Sequence, residues 1–191
     1  MHSNTTRGFT LGAALLLLLA GGVAPANEET IPLEIDREAS RIAAHVQATG
    51  HSFDAVIVDY DLELTWNPET KTVASARFSF DFAAVETGRD RRDREMRDWL
   101  DYDTHPDAEF VLERIEERGG EHRAHGTFRL HGREREISFP AEIFSGRNAL
   151  RIRSRTTLDH RDWELEPIRA FLFMTVDPEL EIQIDLRANL P

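Results

Sequence analysis

The sequence predicts an all-β fold: an eight-stranded antiparallel β-barrel with one short amphipathic helix. Three observations carry this. Beyond residue 26, long runs alternate apolar and polar residues with period two; a single segment switches to helical spacing; and the polar faces of the runs are densely charged. That charge argues against an outer-membrane barrel, which needs an apolar outer belt with aromatic girdles. Closure into a barrel is favoured over a two-sheet sandwich because it removes the edges that long strands otherwise expose.

Residues 1–26 read as a secretory signal. Thr5-Thr6-Arg7 is a weakly positive start, Phe9 to Ala20 is almost unbroken apolar chain, and Ala24-Pro25-Ala26 offers the small residues of a cleavage site. The apolar stretch is short for a spanning helix and ends in Gly21-Gly22 rather than a charged flank, so no stable membrane span is expected. The expectation is therefore one exported, periplasmic, soluble domain over residues 27–191. The chain has no cysteine, so that domain is held by packing without disulfides.

From Val56, the set Val56, Val58, Tyr60, Leu62, Leu64 and Trp66 alternates with Asp59, Asp61, Glu63 and Thr65, which reads as one long strand. Asn67-Pro68-Glu69-Thr70 turns it into a second, with Ala76, Phe78, Phe80 and Phe82 opposite Arg77, Ser79 and Asp81. The two form a hairpin. Met96, Trp99 and Leu100 then fall at helical spacing within Arg91 to Asp101, and Asp103 to Pro106 leads the chain out of the helix. Strands resume over Phe110 to Ile115 and, past Gly119-Gly120, over His125 to Leu130. His131-Gly132-Arg133 turns into a strand bearing Ile137, Phe139, Ala141 and Ile143, and Ser145-Gly146-Arg147-Asn148 turns into Leu150 to Leu158. Phe171 to Val176 is the next expected strand. Beyond Asp177-Pro178, the last carries Leu180, Ile182, Ile184 and Leu186.

The chain holds 35 acidic against 23 basic residues, a formal net charge of −12, and Lys71 is its single lysine. Such a balance opposes binding to nucleic acid or to anionic membrane surfaces. The histidines beyond the signal (His45, His51, His105, His122, His125, His131 and His160) show no metal-ligand spacing. His122 and His125 lie three apart across turn and strand, where side chains face opposite ways. Ser52 follows His51, but no G-x-S-x-G elbow marks a nucleophile, and an acidic surface supplies many accidental carboxylate pairs. No catalytic residue, metal or cofactor is assigned. A metal or hydrolytic site near His45 and His51 stays open as a rival, requiring those rings to meet a third ligand.

The informative signal is aromatic. Phe78, Phe80, Phe82, Phe128, Phe139 and Phe144 fall on expected strands beside Trp66 and Tyr60. Such residues either fill a barrel core or line an apolar tunnel for a long hydrocarbon ligand, and periodicity does not separate the two. Strand parity and bulk select Trp66, Phe80, Phe82, Phe128, Phe139 and Ile184 as the lining. If the lumen is packed solid, the chain is instead a ligand-free structural or stress-related module.

Several segments resemble, in order, those of the YceI-like family. They are Ile35-Asp36-Arg37-Glu38-Ala39-Ser40, similar to the family's opening strand; Arg92-Asp93 followed by Met96, Pro106 and Phe110; Leu130-His131-Gly132; and Leu158-Asp159-His160-Arg161-Asp162-Trp163. The resemblance runs from about Ile35 to Leu186. It implies a periplasmic, lipocalin-like barrel that binds polyisoprenoids such as isoprenoid-quinone tails without catalysis, with an apolar-tailed lipid as partner. It places Arg92, Asp93 and Asp162 at the pocket rim. Glu95 stands where the family commonly has histidine, His160-Arg161 replaces Arg-Ser, and Glu164 replaces glycine, so the rim is where departure is expected. Pairing of two copies into a homodimer along an exposed strand is left open.

Overall fold

The computed structural model describes residues 29–170 and 174–191; the expected signal and the first half of the expected strand Phe171 to Val176 lie outside the described residues. The short strands β1 (Ile31–Pro32) and β2 (Glu34–Ile35) precede β3 (Arg41–Ala48), β4 (His51–Ile57), β5 (Asp61–Asn67) and β6 (Thr72–Asp81). A 3₁₀ turn (Phe82–Ala84) and β7 (Val85–Glu86) lead into helix α1 (Asp90–Trp99). Then come β8 (Asp107–Arg118), β9 (Glu121–Leu130), β10 (Arg133–Ser145) and β11 (Ala149–Asp159). A second 3₁₀ turn (His160–Trp163), a small hairpin of β12 (Arg169–Ala170) and β13 (Met174–Thr175), and β14 (Glu179–Asn189) end the chain.

The strands form one curled antiparallel sheet in the order β1-β5-β6-β8-β9-β10-β11-β14-β3-β4-β7, with β2 added beside β14. The architecture is the expected lipocalin-like one, with a different strand inventory. The single strand expected from Val56 to Trp66 is two strands, and parity reverses across their break. His51, Phe53, Ala55 and Ile57 face inward from β4, whereas Leu62 and Leu64 do so from β5. Val58 is left 54% exposed. A one-residue slip is enough to exchange the two faces of a strand. Strand β3 escaped the alternation because its inward set is small (Ile42, Ala44, Val46, Ala48) and Ala43 interrupts it. Ile35 closes β2, and Asp36 to Ser40 is a turn rather than the continuation of an opening strand. Asp36 accepts a hydrogen bond from the Ala39 backbone N–H at 3.0 Å, and the Ser40 hydroxyl donates to the Asp36 carbonyl at 2.6 Å. Such aspartate and serine bonds compete with strand pairing.

The two ends of the barrel are built differently. At one end, Leu33, Leu64, Trp66, Val73, Leu150 and Ala188 form a buried floor. The N-terminal segment straps across it. Strand β1 pairs with β5, β2 pairs with β14, and between them the Leu33 N–H donates to the Leu64 carbonyl at 2.9 Å. At the other end α1 lies over the opening, with Leu100 buried in a second cluster and Met96 and Trp99 packed against it. Between β4 and β5 no ladder joins the strands among the described residues. The seam is filled by Tyr60, whose ring packs 5.6 Å from that of Phe78 and carries Arg37 over its other side at 4.7 Å.

Candidate functional site: an apolar cavity under helix α1

Alternation within each strand sends one side chain in two toward the barrel axis, and those side chains do not meet in the middle. They enclose a cavity of about 880 Å³, toward the upper end of the usual range for small-molecule sites. Small residues leave the space. Ala44 pairs with Ala55 on one side and Ile182 on the other, so two adjacent strands present only methyl groups there.

The opposite wall is aromatic. Phe78, Phe110 and Phe128 are register partners across β6, β8 and β9, and Phe139 on β10 packs on Phe110 at 5.4 Å. Gly126 is required beneath this row. A Cβ there would lie 2.7 Å from the Phe110 ring and press on the Val111 carbonyl. Phe80 and Phe82 continue the wall toward α1, with ring centroids 5.1 Å apart.

Of the six lining residues expected from parity, Phe80, Phe82, Phe128, Phe139 and Ile184 border the cavity. Trp66 does not. The β5–β6 register shifts between Thr65 and Trp66, which drops the indole into the floor at 4% exposure. Phe144, counted among the strand aromatics, lies outside at 48% exposure, under the Arg153 guanidinium. Parity alone missed Phe53, because the break at residues 58–60 hides the phase of β4. It likewise missed the effect of the bulge between Leu112 and Arg114, which turns Ile115 inward.

Polar lining residues gather at the α1 end: Thr87, Arg89, Arg91, Arg92, Glu95, Asp98, His51 and His160. Of the three expected rim residues, Arg92 borders the cavity while Asp93 and Asp162 do not. Asp93 turns back to accept hydrogen bonds from the Thr87 backbone N–H and hydroxyl, fixing the segment that enters the helix. Asp162 is exposed and contributes its backbone carbonyl to Arg135 at 2.8 Å. The Arg92 guanidinium is stacked on Phe53, and its Nη1 is buried without a hydrogen-bond partner. Burial and the neighbouring Arg89 lower the Arg92 pKa against the opposing pull of Asp93, and arginine still remains cationic in proteins.

The second 3₁₀ turn supplies two residues that the sequence alone does not place at the site, His160 and Trp163. Asp159 caps it by accepting from the Arg161 backbone N–H at 2.9 Å, and the hydrogen-bonded Arg161 side chain holds the Asp159 carboxyl at a pKa of about 2. Locked this way, the turn sends Arg161 and Asp162 out and buries His160 and Trp163. The Trp163 indole donates to the Phe128 carbonyl at 3.2 Å. His160 packs edge-on against Trp99 of α1 at 5.1 Å.

His45 and His51 do not converge. His45 is bonded to Asp54 at 2.7 Å and to Gln47 at 3.1 Å on the outer side of β3, while His51 borders the cavity and stacks on Phe53. No group of three or more metal-ligating side chains occurs among the described residues.

A curled antiparallel sheet around an apolar cavity, with polar groups confined to a helix-covered mouth, defines a ligand-binding β-barrel. Residues 33–188 match the YceI-like domain, and the chain belongs to the YceI-like family. Solved structures share the fold. BcnA from Burkholderia cenocepacia superimposes with a TM-score of 0.72 at 18% identity, over 81% of this chain and 99% of that one. A polyisoprenoid-binding domain from Saccharophagus degradans gives 0.64 at 16% identity, over 85% and 100%. The YceI protein of Campylobacter jejuni gives 0.60 at 15% identity, over 98% and 94%. No curated protein sequence matches the chain.

Proposed function

We propose that this protein is exported to the periplasm and there binds an isoprenoid lipid, sequestering or carrying it without covalent chemistry. The observation that carries the reading is the cavity of about 880 Å³ walled by aromatic and aliphatic side chains. Membership of the YceI-like family and the fold shared with a polyisoprenoid-binding domain support it. Each buried CH₂ of a tail contributes roughly 0.8 kcal/mol, so several prenyl units are held tightly with no charged contact. Phe80, Phe82, Phe128, Phe139 and Ile184 grip the tail, and Arg92 stands at the mouth. The charged outer face keeps the loaded protein dispersed in water. No helix among the described residues is long and apolar enough to cross a membrane.

The test is to purify the protein from its native compartment, extract it with organic solvent and weigh what is released. A stoichiometric species with a prenyl mass ladder establishes the carrier and names its cargo. An empty extract from folded protein that also fails to take up added prenyl lipid refutes the reading.

A further inference from the structure

The two ends of the cavity differ in how they are closed. At the α1 end the cover is a helix none of whose residues is buried. At the far end the wall is made by Leu64, Val73, Ala76, Ile115, Ile143 and Ile152, which border the cavity and also belong to, or pack on, the floor cluster. Leu33, Trp66 and Leu150 stand behind them, all buried.

Main-chain bonds hold this floor in place. Ile31 pairs with Trp66, the Leu33 N–H donates to the Leu64 carbonyl at 2.9 Å, and Ile35 pairs with Ala188. Beyond β14, the Leu190 N–H donates to the Asn148 carbonyl at 3.0 Å. A hydrocarbon tail that reaches this wall cannot pass it without breaking backbone hydrogen bonds and burying their groups unpaired, which is costly. The cavity is therefore a blind tunnel, and its volume fixes how much tail it takes.

An apolar protein cavity of about 150 Å³ accommodates benzene, which allots about 25 Å³ to each carbon. The volume here is about 880 Å³. On the same scale that is room for about 35 carbons, or about seven prenyl units. Hydrocarbon beyond that stays at the mouth in water, and each CH₂ left out weakens binding about fourfold.

We propose that the strapped floor is a chain-length ruler, stopping the tail at Ala76, Ile143 and Ile152 so that the barrel takes prenyl chains of up to about seven units and excludes longer ones. This rests on the lipid-binding reading above, and adds to it an upper limit of size and the residues that set the limit. Ala76 is the smallest side chain of the far wall, so it is the position where added bulk reaches furthest into the lumen.

The test equilibrates the purified, delipidated protein with phosphatidylcholine vesicles carrying equal amounts of prenyl alcohols from three to eleven units long. The protein is then separated and extracted, and the bound alcohols are weighed. In the vesicle every CH₂ of a tail is buried, so the wild-type pool should fall tenfold or more with each unit beyond about seven. Ala76→Trp puts an indole into the far end and should lower the limit by about one unit. Ile143→Ala combined with Ile152→Ala clears space there and should raise it by about one. Ile152→Phe and Ile152→Val, smaller changes of the same two signs, replace either variant if it does not fold. A wild-type pool that mirrors the lengths offered overturns the ruler, as does a limit that stays put in folded variants. Either result leaves lipid binding itself standing; a protein that takes up no alcohol of any length removes the lipid reading as well.

Discussion

The Arg92 guanidinium lies 3.6 Å above the centre of the Phe53 ring. The helix over the mouth is thereby tied to β4 through a cation–π contact. Phe53→Leu keeps an apolar side chain and removes the π face, which should cost about 0.5–2 kcal/mol. A double-mutant cycle with Arg92→Gln, read by denaturant unfolding, should return a coupling of similar size. A coupling near zero would mean that the stacking is not what holds the guanidinium in place.

Gly126 sits where no side chain fits. Gly126→Ala should lose about 1–3 kcal/mol because its Cβ presses on the Val111 carbonyl and displaces the Phe110 ring, seen as a lower denaturation midpoint. Unchanged stability would show that the aromatic wall yields readily.

Leu33 links β1 and β2 across the floor and packs with Leu64, Trp66 and Leu150. Leu33→Ala should cost about 2–3 kcal/mol by leaving a void there. Hydrogen exchange should rise first in β5 and β14, the strands that the segment straps together.

Ala44 borders the cavity beside Ala55, its register partner. Ala44→Phe fills space rather than crowding a packed core, so the melting temperature should hold or rise while lipid affinity falls about tenfold or more, each displaced CH₂ counting for roughly 0.8 kcal/mol. Undiminished lipid uptake by this variant would move the ligand elsewhere.

His160 gives stability a pH dependence of definite sign. Burial depresses its folded pKa below the ordinary 6.5. As pH falls through about 6.5 the unfolded chain takes up a proton that the folded ring resists, so stability present at higher pH is lost on acidification. The melting temperature should drop between pH 7.5 and 5.5, and drop less in His160→Phe. Equal slopes would mean that the ring is protonated as readily in the fold as in water.

Much of this molecule is legible from side-chain period alone. The hairpin turn at Asn67 to Thr70, the helix at Asp90–Trp99 and the inward row Phe78, Phe80 and Phe82 follow from alternation and spacing. The errors in the strand lining share one cause. Period-two reasoning carries phase forward along a strand, and each irregularity resets it: the break at residues 58–60, the register shift at Trp66 and the bulge after Leu112. Trp66 was lost from the lining at one of these resets, and Phe53 was hidden behind another. His160 was illegible for a different reason. Its burial is set by a 3₁₀ turn whose direction depends on Asp159 capping Arg161, and that local bond leaves no periodic trace.

The unpaired seam between β4 and β5 makes this barrel a sleeve with one side left unstitched. Elsewhere around the circumference, girth is fixed by ladders of backbone hydrogen bonds, and widening would mean breaking them in series. Along the seam no ladder among the described residues joins β4 to β5, and Tyr60 fills the gap between Phe78 and Arg37. Backbone still laces across it: β7, which continues from β6, pairs with β4, the Val58 N–H donates to the Ala84 carbonyl at 2.9 Å, and the N-terminal segment ties β5 to β14. The sleeve's girth is therefore held on that side by short laces rather than by a full ladder.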